Sequence, residues 1–427
     1  MKSRTAYLSL LVVIYFAFIS LGLPDAGFGI AWPFMRLDFA KPLEAAGIVT
    51  ISITVFSALS SVFSGHVLLR FGTGKVTLAS GLMTATALLG YGLAPSFLWI
   101  LACVPLLGFG GGAIDCGLNF YVAKNYSGRH MNWLHCAWGV GATVGPIILT
   151  AFVARSGAWR AGYFTIGAVQ FTLALILFLS IGLWGRVEAD VSRAAEKAAG
   201  ESGGNAAASA DGIDVRGEPS AREEAAIADR ESGNGTKKAM LTQILVFACY
   251  TSGEYIAGLW AFSLLTQARG LDAGTAGVWV SLYYGALTAG RFLNGIVVDR
   301  FGNRRMIRTG LFVAVLGAAL LALKAFVPAS SDLAALAGLL LMGLGFAPLY
   351  PCMMHETPRR FRNDVAQKLI GYQSGAAYVG GALTPAVVGL VAAHSTLEII
   401  PFIELALVAA LIALTVSLDR LTRARAA

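Results

Sequence analysis

Charge is what this sequence has least of. Only 13% of its 427 residues are Asp, Glu, Lys or Arg, 56% are apolar, and the mean hydropathy is +0.69. An ordinary soluble domain carries roughly a quarter charged residues, so that class is excluded. Cysteine is scarce too: Cys103, Cys116, Cys136, Cys249 and Cys352 lie in apolar runs without metal-ligand spacing and read as small packing residues. No nucleophile–base set, metal spacing or folded soluble domain is recognisable. The chain is therefore not read as an enzyme: catalytic residues none, metal none, cofactor none. A small-x-small cleavage site is also missing after Lys2, Arg4 and the first apolar run, so that run is expected to stay in the protein as a span.

What the sequence has is long apolar runs. They approach the roughly 20 residues or more that a membrane helix needs and far exceed the roughly 10-residue alternating strands of a barrel. An all-α membrane protein of twelve transmembrane helices is expected, with spans near 5–35, 45–69, 75–94, 97–122, 132–154, 159–184, 240–266, 273–298, 305–327, 332–354, 364–393 and 396–418.

Basic residues orient them. With odd spans running outward, 25 of the 32 Lys and Arg residues fall on the cytoplasmic side, six fall outside and Arg291 lies within a span. Both termini are thus expected in the cytoplasm of a multi-pass protein of the inner membrane. The net charge of +8 reflects topology, and no nucleic-acid partner is implied. The lipid bilayer, protons and a small-molecule substrate are the expected partners of a protein working as a monomer.

Residues 186–238 break the apolar pattern with eight basic and eleven acidic residues among Ala, Gly and Ser, and read as a disordered cytoplasmic linker. The chain divides accordingly into a six-helix bundle at 1–185, the linker at 186–238 and a second six-helix bundle at 239–427. The halves also repeat. Gly65-His66-Val67-Leu68-Leu69-Arg70-Phe71-Gly72 follows the second span, and Gly295-Ile296-Val297-Val298-Asp299-Arg300-Phe301-Gly302 follows the eighth, 230 residues on. Repeated elements are the mark of transporters built from two pseudo-symmetric halves.

On that repeat, and on Gly295-x-x-x-Asp299-Arg300-x-Gly302-x-Arg304-Arg305, the chain resembles the major facilitator superfamily over nearly its whole length outside the linker. The resemblance implies that Gly295, Asp299, Arg300, Gly302, Arg304 and Arg305 form a conformational latch on the cytoplasmic side. The spacing has a physical sense, since Gly295 permits close helix approach and Asp299 can meet basic side chains or a helix N-terminus. The first copy has Leu69 where the acid belongs.

Charges in four of the spans are singled out. Asp25 lies in Gly22-Leu23-Pro24-Asp25-Ala26-Gly27-Phe28-Gly29, Asp115 in Gly110-Gly111-Gly112-Ala113-Ile114-Asp115-Cys116-Gly117-Leu118-Asn119, Glu254 in the seventh span and Arg291 in the eighth. A charge at membrane depth costs at least about 2.5 kcal/mol, so such residues normally face a water-filled path. The glycines near Asp115 follow no strand and precede no Lys-Ser/Thr pair, so they read as helix packing and not as a phosphate loop. The family resemblance places spans one, four, seven and ten around a central cavity. Asp25 and Asp115 are accordingly read as proton-coupling acids, Asp25 on the outer half of the path and Asp115 on the inner. Glu254 either binds substrate or pairs with Arg291.

The fifth span, from Asn132-Trp133-Leu134-His135 to Gly145-Pro146, narrows the resemblance to the fucose:proton symporter branch, which carries an acid in the first span, an acid in the fourth and a glutamine where His135 stands. His135 is open to three readings: hydroxyl ligand, titrating relay or hydrogen-bonded core residue. Asn119, Gln373, Trp138, Trp260 and Tyr350 complete the expected substrate site, as hydroxyl readers and aromatic stacking faces. The resulting expectation is proton-coupled symport of a small neutral polar solute, a sugar by preference, by alternating access. The alternative is a proton-driven exporter of drug-like or amphipathic compounds.

Overall fold

The computed structural model describes residues 2–25, 28–42, 45–156, 158–187, 189, 193, 234–327 and 332–422. Most of the expected linker, including everything from 194 to 233, lies outside them.

Among the described residues the regular structure is helical throughout. The elements of the first half are α1 (Lys2–Asp25), α2 (Phe28–Asp38), α3 (Ala45–Phe71), α4 (Thr73–Gly92), α5 (Phe97–Asn125), α6 (Gly128–Ser156) and α7 (Trp159–Leu179). Those of the second are α8 (Asn234–Ser263), α9 (Ala273–Phe301), α10 (Asn303–Phe326), α11 (Asp332–Phe346), α12 (Leu349–Arg360), α13 (Asn363–Ala393) and α14 (Ile400–Thr422). Helices satisfy their own backbone hydrogen bonds, the condition for crossing a bilayer. Ten of the spans are long and apolar enough to cross. With α4 and α9 in the places of the third and eighth spans, the twelve expected spans are accounted for.

Several spans depart from single continuous α-helices, the seventh and the tenth among them. The tenth is divided into α11 and α12 at Ala347–Pro348, where proline at the second of these positions cannot donate to a helical ladder. The seventh passes from α8 into a π-helical turn at Leu264–Ala268. Broken and wide-turn helices are common where transporters bind their cargo.

By spatial clustering the chain forms two compact units. The first comprises Met1–Ser127, Trp133–Glu224 and Phe361–Gly375; the second comprises Gly128–Asn132, Ala225–Arg360 and Ala376–Ala427. In each unit the repeated loop is built the same way. Gly72 joins α3 to α4 at φ 79°, ψ 154°, and Gly302 joins α9 to α10 at φ 82°, ψ 149°. That region of backbone space is essentially restricted to glycine, which explains why both copies end on one.

Small residues set the packing of the first unit. Along α3 and α5, Ser57 Oγ donates to the Gly108 carbonyl at 3.2 Å, Ser60 Oγ to that of Phe109 at 2.6 Å and Ser61 Oγ to that of Gly112 at 3.2 Å. A Cβ at Gly108 would stand 2.9 Å from the Ile53 carbonyl. On α6, Gly141 and Gly145 press against the carbonyls of Ile19 and Leu23 on α1. Both glycine runs are thus backbone contacts, the usual means of association where no hydrophobic effect drives helices together. An aromatic cluster closes one end of the unit, with Trp32, Tyr91, Trp159 and Tyr163 buried together.

Candidate functional site

In the first unit three of the expected residues form one chain. Asp115 and Asn119 are four residues apart on α5, hence on one face. The Asn119 amide nitrogen donates to the Asp115 carbonyl and to Asp115 Oδ1, each at 2.9 Å. His135 of α6 then meets Asn119 Oδ1 through Nε2 at 3.1 Å. The chemistry fixes the protons. Asn119 Oδ1 is an amide oxygen and can only accept, so His135 Nε2 carries the hydrogen. Asp115 is 9%, His135 8% and Asn119 0% exposed.

In the second unit Glu254 and Arg291 meet, with Arg291 Nη2 at 3.0 Å from Oε2 and 3.3 Å from Oε1. The Tyr250 hydroxyl hydrogen-bonds to Glu254 Oε2 and accepts from Arg291 Nη2 at 3.3 Å. Tyr283 donates to the Glu254 carbonyl at 2.9 Å. Tyr350, at the start of α12, has its ring 5.9 Å from that of Tyr250 and 5.1 Å from that of Phe247. Two opposite charges and three phenols therefore sit together.

The other expected residues are placed differently. Asp25 is the last described residue of α1, and its side chain lies outside the described residues. Trp138 is half-buried on α6, one turn from His135. Trp260 is committed to α13, its indole N–H donating to the Pro385 carbonyl at 2.9 Å and its ring filling the space above Gly389. Gln373 is fully buried in the stretch 361–375 that belongs to the first unit.

The loop cluster has a clear geometry. Asp299 Oδ1 accepts from the Arg129 backbone N–H at 3.1 Å, and Oδ2 lies 3.2 Å from Arg129 Nε. Arg129 is the second residue of α6, so the carboxylate sits on a helix N-terminus, where negative charge is stabilised. Arg304 pairs with Glu356 at 3.0 Å, while Arg300 and Arg305 are exposed. The Gly65 of the first copy abuts the backbone of Gln367 and Lys368, so that copy keeps its glycine contact although it lacks the acid.

Several residues of these networks are not singled out by the sequence reading. Glu356 accepts from Asn303 Nδ2 at 3.1 Å as well as from Arg304, and Asp419 binds Arg308 and Arg360, each at 2.8 Å. In the sequence Arg359 and Arg360 serve only to orient the chain, yet the acid three and four residues before them is the available signal. Glu404, a lone acid in an apolar span, meets the same criterion as Asp25.

A family model described as Major Facilitator Superfamily matches residues 12–233 and 240–426. The chain belongs to the major facilitator superfamily. This major facilitator protein is a transporter and not an enzyme. It is similar to the probable sulfoacetate transporter SauU of Cupriavidus necator, 24% identical over 421 residues, with 94% of this chain and 90% of that protein covered. It is also similar to the fosmidomycin resistance protein of Escherichia coli K12, 21% identical, with 86% and 82% covered. Among solved structures, the E. coli fucose:proton symporter FucP aligns with a TM-score of 0.69 at 14% identity, over 98% of this chain and 100% of that chain. At that identity the likeness is one of fold.

Proposed function

We propose that this transporter performs proton-coupled symport of a small neutral polar solute, a sugar or similarly hydroxylated molecule, by alternating access. The reading rests on the Asp115–Asn119–His135 chain. An acid held at 9% exposure and joined through an amide to an imidazole is a titratable group. Closing a dry cavity over an ionised Asp115 is costly, and protonation together with solute hydrogen bonds removes that cost. The fully loaded carrier then reorients while singly loaded ones do not. Asp25 acts as the second acid on the outer half of the path. Asn119, His135, Trp138, Glu254, Trp260, Tyr350 and Gln373 serve substrate binding, and the loop cluster around Asp299 latches the cytoplasmic side. The chain works as a monomer in the inner membrane with both termini in the cytoplasm, as two six-helix bundles at 1–185 and 239–427 joined by the linker at 186–238.

A second reading is favoured by Arg291. A small organic anion could replace Glu254 as the partner of that buried guanidinium, and the name of the Cupriavidus relative points to a cargo of that kind. A thermal-shift panel separates the two, because a ligand raises the melting point of the fold that binds it. L-Fucose and related sugars should stabilise the purified protein under the first reading, and sulfoacetate under the second.

Coupling is tested in proteoliposomes. Solute addition should alkalinise the outside for a symporter, whereas acidification would establish the proton-driven exporter instead. Asp115→Asn should abolish proton-driven accumulation while sparing exchange, and retained uphill uptake in that variant would remove Asp115 from the coupling role.

A further inference from the structure

The second unit contains a carboxyl that neither the site nor the loop cluster uses. Glu404 lies on α14, is 0% exposed, and neither of its oxygens has a hydrogen-bond partner among the described residues. It can approach α8 because residue 253 is glycine: a Cβ there would stand 3.3 Å from Glu404 Oε2 and 3.2 Å from the Phe346 ring. The backbone N–H of Ala257 on α8 lies near the carboxyl without reaching good hydrogen-bond geometry.

The surrounding groups supply no compensating charge. From α8 come the Cys249 thiol, which donates to the Leu407 carbonyl at 3.3 Å, and Glu254, the residue next to Gly253. From α9 comes Tyr283, within electrostatic range of both Glu254 and Glu404. From α11 comes Phe346, which is apolar. On α10 the cations Arg304, Arg308 and Lys324 pair with Glu356, Asp419 and Asp332, and Arg305 is exposed. An isolated carboxylate in such a place is far too costly to persist, and the group is kept neutral instead.

We propose that Glu404 is a proton-binding site whose occupancy is governed by the Glu254–Arg291 pair. While the pair is closed its charges cancel, and Glu404 keeps its O–H. A ligand that draws Glu254 away from Arg291 leaves the guanidinium without that carboxylate; the Glu404 O–H bond then breaks, the new carboxylate offsets the guanidinium charge within the same unit, and the proton passes to water. Its use in the transport cycle rests on the proton-coupled reading above, but its protonation and its link to the pair do not.

Infrared spectroscopy of the purified protein reads the state of the carboxyl directly. The wild type at neutral pH is expected to show a protonated-carboxyl C=O band that Glu404→Gln removes; a band unchanged in that variant would overturn the assignment. If Glu404→Gln does not fold, Glu404→Asp should shift the band instead of removing it, and an unshifted band would overturn the assignment equally. Glu254→Gln, which leaves Arg291 uncompensated, should lower the pH at which the band disappears by at least about one unit, a tenfold change in the equilibrium. Glu254→Asp, which stretches the pair, should move it in the same direction by less. A Glu404 band insensitive to both Glu254 variants would overturn the coupling. Proton movement in the solute-addition experiment is read separately, so failure of symport and failure of this proposal are distinguishable.

Discussion

Arg291 Nη2 lies 3.0 Å from Glu254 Oε2, and the two side chains are only 7% and 13% exposed. Breaking such a pair from one side leaves a buried charge without its counterion, which costs about 3–5 kcal/mol, whereas replacing both partners together costs far less. Glu254→Gln and Arg291→Met should each lower the melting temperature of the purified protein by several degrees. The double variant should recover most of the loss. Additive losses would mean that each residue is held by other groups, and that the pair does not set the stability of this part of the unit.

The matched glycines at the repeated loop give a second expectation. Gly72 and Gly302 share one backbone conformation at φ 79° and 82°. A side chain in that region costs about 1–3 kcal/mol. Gly302→Ala and Gly72→Ala should lower the melting point by comparable amounts, since nothing within 4 Å of either position adds a clash. If only one variant is destabilised, the common conformation is not what the two loops require.

Glu356 is a stronger test of the ion network than any arginine of the loop. It is 6% exposed and joined to Arg304 at 3.0 Å, to Asn303 at 3.1 Å and, more loosely, to Arg360 at 3.7 Å. Glu356→Gln withdraws the charge from buried Arg360 while leaving Asp419 in place. A loss of about 2–4 kcal/mol is expected, as for a buried charge that keeps one of its two counterions. Arg305→Gln, on an exposed side chain, should change stability by no more than about 0.5 kcal/mol. Thermal unfolding of both variants in one detergent makes the comparison, and equal losses would contradict the network.

Much of this fold is legible in the sequence because membrane spans announce themselves. Apolar length places the helices. The exact repeat from Gly65 to Gly295 also anticipates two loops that share a backbone conformation. The break in the tenth span is not legible, because hydropathy averages across a break and Pro348 alone does not say whether a helix bends or stops. Within the site, Asp115, Asn119 and His135 can be brought together from helical spacing and family resemblance. Tyr250 cannot, since an apolar ring carrying one hydroxyl reads as core until its partner is seen. Glu404 is legible by the rule that flags Asp25, but nothing in the sequence signals that its oxygens are unpartnered.

The Asp115–Asn119–His135 chain separates a donor role for the imidazole from a titrating one. His135 Nε2 must donate to Asn119 Oδ1, because an amide oxygen can only accept. Glutamine can supply an N–H at that place but cannot titrate, whereas leucine supplies neither. If donation is what the site needs, His135→Gln retains uptake and His135→Leu loses it. The loss should be about tenfold or more, because a buried acceptor left unsatisfied costs about 1–3 kcal/mol. If the imidazole instead carries charge during the cycle, His135→Gln fails as badly as His135→Leu. The pH profile of uptake decides between these roles: a donor role predicts that His135→Gln keeps the wild-type profile, set by the acids, and a titrating role predicts that the limb of the profile nearest the ordinary histidine range disappears.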